Sequence, residues 1–198
     1  MKDSEDKIPE QEKGASSDVI HTVNCESSDE ATMLYLRARK NLFDINRWHE
    51  RAGKLSARFY LTDESGNSID RPPLQGDYIK IHLPPSAADK FDWVRIEEIE
   101  EEKPDDYSSR VKISVRPADP PAPQQETEHF FSDEATSNFF VERKGRSVTA
   151  MVRGRNELPN TEAPGVVNKI RNVVVAVAAM AGLNVPQWKA LVKGILEE

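Results

Sequence analysis

A single cysteine, Cys25, in 198 residues excludes an intramolecular disulfide and removes any need for an oxidising compartment. Cytoplasm is the expected location. Met1–Lys13 is acidic and lacks the basic and apolar regions of a secretory signal. The longest apolar run, Val173 to Leu183, is interrupted by small residues and falls short of the roughly 20 residues that span a bilayer. No membrane span is therefore expected. The four histidines, His21, His49, His82 and His129, show no metal-ligand spacing, no serine or cysteine stands in a nucleophile context, and no glycine-rich phosphate loop occurs. The expectation is a protein with no catalytic residue, metal or cofactor.

An excess of positive charge is also missing. The formal net charge is −7, which repels phosphate backbones at long range, so a nucleic-acid role would have to rest on a local basic patch. The charge is uneven. Residues 1–36 carry nine Asp/Glu against three Lys, and residues 37–54 carry six basic residues against two acidic ones. Residues 1–28 hold too few large apolar groups to offset their ordering entropy and read as a disordered acidic tail containing His21 and Cys25. The remainder, 29–198, reads as one domain.

What the chain does have is period-two apolar patterning. After a helical stretch from a cap at Asp29 to Gly53, with a break near Asn41, about six strands follow: Leu55–Thr62, Tyr78–Leu83, Phe91–Glu100, Arg110–Arg116, Asn138–Arg143 and Ser147–Arg153. Turns fall at Asp63–Asn67, at Pro104-Asp105-Asp106 and at Lys144-Gly145-Arg146, and residues 117–128 form a proline-rich surface loop. Two helices close the chain. Val166–Ala181 is apolar on nearly every side, so it is expected to lie between the sheet and another helix or a second subunit. A last helix from Asn184 aligns Trp188, Leu191, Val192 and Ile195. The fold class is α+β: a twisted antiparallel sheet or partly open barrel with an N-terminal helix and a C-terminal helical pair. A helix-grip arrangement, with the sheet curled round the long helix, is the natural variant.

Alternation also assigns faces. Phe59, Leu61, Ile79, Ile81, Val94, Ile96, Val111, Ile113, Val115, Val148, Ala150 and Val152 form the core side. Tyr78, Lys80, Trp93, Arg95, Lys112, Arg153 and Arg155 fall on the other. The partner-binding candidates are Arg153, Arg155 and Asn156 at the end of the last strand, where arginine forks suit a carboxylate or another anion, together with Tyr78, Trp93 and Arg95. Three functions fit. The first is a non-catalytic binding or adaptor module that meets another protein through this polar face. The second is single-stranded nucleic-acid binding by the same face, since bases stack on rings while cations track phosphates. The third is a carrier holding a small molecule or lipid between the sheet and the C-terminal helix.

Overall fold

The computed structural model describes residues 8–53, 57–82, 91–121, 134–157 and 186–197. They build one open seven-stranded sheet in the order β1-β7-β6-β5-β4-β3-β2, with every neighbouring pair antiparallel. The strands are β1 (Ala15–Asn24), β2 (Arg58–Thr62), β3 (Tyr78–His82), β4 (Asp92–Asp105), β5 (Ser108–Pro117), β6 (Thr136–Lys144) and β7 (Ser147–Glu157). Helices α1 (Ser28–Phe43) and α2 (Trp48–Arg51), linked by a 3₁₀ turn at Ile45–Arg47, come between β1 and β2, and a last helix, α3, occupies residues 186–197. The α+β antiparallel architecture is the expected one, with one more strand.

That strand, β1, lies where the sequence reading places a disordered tail. Its inward positions alternate as Ser17, Val19, His21, Val23 and Cys25, and of these only Val19 and Cys25 are fully buried. The apolar signal is therefore thin. Pairing with β7 from Ala15↔Glu157 to Asn24↔Ser147 supplies the backbone order that composition does not. Cys25 is buried rather than mobile, its amide donates to Arg146 O at 2.9 Å, and burial pushes its thiol pKa up. A buried protonated thiol is a poor nucleophile.

Helix α1 is capped two residues earlier than its sequence signal suggests. Ser27 caps it by accepting from the Glu30 amide at 3.1 Å, while the Glu30 carboxylate accepts from the Glu26 amide at 2.9 Å. The expected break occurs at Asp44. Asn41 stays helical and buried, donating to Ile195 O at 3.1 Å and accepting from Arg51 at 2.9 Å, so it ties α3 to the α1–α2 corner. Gly194 completes that corner, because a Cβ there would lie 2.5 Å from the Arg51 carbonyl oxygen.

The core-face assignment is observed. Phe59, Leu61, Ile79, Ile96, Val111, Ile113, Val115, Val148, Ala150 and Val152 are buried, and Ile81 and Val94 pack against them at the margin. Over this face α1 and α3 contribute Ala31, Leu34, Ala38, Leu42, Leu191, Ile195 and Leu196. Four rings close the middle: Trp48 lies 4.7 Å from Phe139 and 5.4 Å from Phe59, and Trp188 lies 5.5 Å from Phe139 and 6.0 Å from Phe59.

In β4 the alternation is not continuous, contrary to a simple period-two reading of Phe91–Glu100. A register shift between Ile96 and Glu98 makes Glu97 a bulge residue. Without it Ile99 would face outward and Glu98 and Glu100 would enter the core. With it, Ile99 faces Ile113 on the core side while Glu98, Glu100 and Glu102 stand opposite Ser114, Lys112 and Arg110. The strand then runs on through Pro104 to Asp105, past the turn expected there; β3 pairs only as far as Arg95, so among the described residues no strand pairs with the other edge of this half of β4, which tolerates a proline. The expected helix Val166–Ala181 and most of the loop 117–128 lie outside the described residues.

Candidate functional site

The face of the sheet turned away from α1 and α3 carries the candidate residues in two groups. In the first, Tyr78 stands opposite Arg95 and Lys80 opposite Trp93. Lys80 Nζ lies 3.7 Å from the Phe91 ring centroid and 5.6 Å from that of Trp93, a cation held between two π faces. Tyr78 and Trp93 are half-buried, Arg95 is exposed, and the Arg95 guanidinium lies 3.7 Å from the Glu97 carboxylate. The second group, Arg153, Arg155 and Asn156, ends β7. Strands β5 and β6 lie between β7 and β4, so the nearer edge of the first group is three strand spacings away, roughly 14 Å.

Between them runs a cleft of about 440 Å³, lined by Pro9, Glu97, Glu98, Glu100, Lys112, Ser114, Val115, Arg116, Thr136 and Asn138. Its floor is polar and ordered: Ser114 donates to Asn138 Oδ1 at 2.8 Å, and Asn138 Nδ2 donates to the Arg153 carbonyl at 3.3 Å. Its glutamate wall is matched by cations from β5. Lys112 Nζ is 2.7 Å from Glu98 and 3.2 Å from Glu100, and Arg110 is 2.7 Å from Glu102 and 3.9 Å from Glu142. On the core side of β4 Arg39 grips Glu101 with two bonds of 2.6 Å, which hold that carboxyl below its ordinary pKa. The basic cluster of the first helix is thus bound largely within the chain: Arg37 donates to Leu196 O, and Arg47 and Arg51 approach Asp44.

At the end of β7 the three candidates have different surroundings. Arg155 pairs with Asp18 of β1 at 2.8 Å. It does not reach the glutamates of β4, which lie three strands away. Asn156 adopts φ 55° and anchors the segment before β1: its Oδ1 accepts from the Glu12 and Lys13 amides at 2.9 and 3.3 Å, its Nδ2 donates to Glu10 O at 3.1 Å, and its amide donates to Gln11 Oε1 at 3.0 Å. Arg153 is buried beside Met151.

Sequence reasoning missed Glu157 and Pro9. Glu157 folds back over Gly154 on the core side, where Ser17 Oγ donates to it at 3.1 Å, and burial raises its pKa. Gly154 leaves room for this arrangement, since a Cβ there would meet the Glu157 carboxylate and Ser17 Oγ and push the Glu157 side chain aside. The one legible signal was the small residue three places from a bulky acid. Among the described residues no group of three or more His, Cys, Asp or Glu is placed to hold a metal, and no helix is long and apolar enough to cross a membrane.

No family model and no curated protein matches this chain. Among solved structures it is similar to the Zhui aromatase/cyclase from Streptomyces sp. R1128, with 9% identity over 91% of this chain and 94% of that one at a TM-score of 0.45. It is also similar to major latex-like protein 151 from Panax ginseng (11% identity, 86% and 98% covered, TM-score 0.38) and to truncated norcoclaurine synthase from Thalictrum flavum (9%, 96% and 99%, TM-score 0.37).

Proposed function

We propose that this chain is a non-catalytic cytoplasmic binding module that meets another protein through the outer face of its sheet. The contact surface is the Tyr78–Trp93–Arg95 row and the adjoining cleft, which leads towards the β7 end where Arg153, Arg155 and Asn156 shape its border. The observation that carries the reading is the continuity of row and cleft: Arg95 reaches Glu97, which lines the cleft, and Arg116, opposite Arg95 on β5, lines it too. Rings that are half-buried in the free chain, next to a concavity with hydrogen-bonding walls, suit the anchors of a protein interface. Affinity capture from the native lysate should return a stoichiometric partner with the wild-type chain and lose it with Trp93→Ala/Arg95→Glu at unchanged Tm. An identical capture profile for the two would sink the reading.

A second reading, a small-molecule carrier, is favoured by Glu157. A carboxyl group beside Ser17, with Val19 and Val152 next to them on the core side, is a polar group that could orient a largely apolar ligand. Native mass spectrometry distinguishes the two, since a carrier retains a copurified small molecule, and the same spectra give the subunit number.

A further inference from the structure

We infer that Arg153 is an oxyanion-binding residue, a position on the outer face built to take a carboxylate or phosphate group from a small ligand. This rests on the reading of that face as a binding surface and adds its chemistry. The side chain is 8% exposed, yet among the described residues no carboxylate lies within ion-pair distance of it. Its Nε has no hydrogen-bond partner, and its Nη2 contacts Met151 Sδ at 3.9 Å. A guanidinium cannot shed its charge by deprotonation, so burial without an acceptor is a standing cost. Three other outer-face arginines avoid that cost: Arg110 meets Glu102, Arg155 meets Asp18, and Arg95 approaches Glu97. Arg153 stands opposite Asp18, but both Asp18 oxygens are turned to Arg155, at 2.8 and 3.3 Å.

The surroundings fit an anion with an apolar body. Along the next row, Phe140 and Met151 are buried and opposed, and Ile20 beside Met151 is 54% exposed on the edge strand β1, where solvent reaches the site. Asn138, directly opposite Arg153 on β6, lines the cleft, so an anion here sits one strand from it. The Asp18–Arg155 pair is the nearest charge. Asp18 is the group that would oppose an anion, and Arg155 offsets it.

Thermal melting in chloride buffer, with acetate, octanoate, inorganic phosphate or hexyl phosphate added, tests the inference. At a concentration near 100 Kd the wild-type Tm should rise by about 5–10 °C, and Arg153→Met should show no rise. The acetate and octanoate arms identify a carboxylate ligand, and the two phosphate arms a phosphorylated one. If Arg153→Met does not fold, Arg153→Lys carries the comparison: it keeps the charge but loses the fork, and its affinity should fall at least about tenfold. Absence of any response in the wild type, or an equal response in the variants, overturns the inference. Trp93→Ala/Arg95→Glu should keep the anion response, so failure to capture a partner with that response intact retires the protein-binding reading alone.

Discussion

Glu157 is the residue whose environment makes the most direct solution prediction. Burial raises its pKa in the folded chain above the ordinary carboxylate value of 4.5, so between that value and the raised one the folded state holds a proton that the unfolded state has lost. Stability must then fall as pH rises through this window. Glu157→Gln removes the titration, so the variant's Tm should vary less with pH just above 4.5, and urea melts across that range would show it. An unchanged slope would mean the carboxyl is solvated. Asp77 makes the opposite case for a charge well housed: it is buried, takes two bonds from Arg71 at 2.7 and 2.9 Å, and accepts the Leu74 amide at 2.7 Å. Asp77→Ala leaves that amide and a guanidinium without their acceptor and should cost about 2–3 kcal/mol in denaturant melts.

At the scale of elements, β1 is the part of the fold least legible in sequence and the one with the clearest structural consequence. Its strand pairing spans Ala15 to Asn24, His21 reaches Glu197 of α3 at 3.1 Å, and Asn156 holds the preceding segment, so composition alone misjudges a stretch tied down by backbone and amide contacts. Deleting residues 1–27 should therefore lower Tm by well over 10 °C rather than leave it unchanged as a disordered tail would, because β7 loses one of its two partner strands and α1 its Ser27 cap. By contrast β2, β3, β5, β6 and β7 were legible. Each carries Val, Ile, Leu, Phe or Ala at every second position, interrupted only by Phe140 in β6 and Met151 in β7, and a one-residue slip would turn a whole apolar set outward. Between these cases lies β4, where Ile99 gives the phase away: an isoleucine out of step with Val94 and Ile96 is the mark of the Glu97 bulge.

Over the whole molecule, charge pairing decides which of the sequence-level functions the outer face supports. Residue types were readable in advance; their partners were not, because Lys112 meets Glu98 and Glu100, and Arg155 meets Asp18, only once the strand order sets β4 beside β5 and β1 beside β7. A phosphate backbone would have to displace those carboxylates, and a chain of net charge −7 offers no long-range attraction to help it. Lys80 sits against two rings, a local arrangement that could stack a single base without providing the row of cations that tracks a strand. Titrating the protein with a single-stranded oligonucleotide at low ionic strength should accordingly leave Trp fluorescence unchanged in the micromolar range. Strong quenching of Trp93 that is lost in Trp93→Phe, with affinity falling steeply as salt is added, would show instead that the carboxylates yield to phosphates and would return nucleic acid to the front.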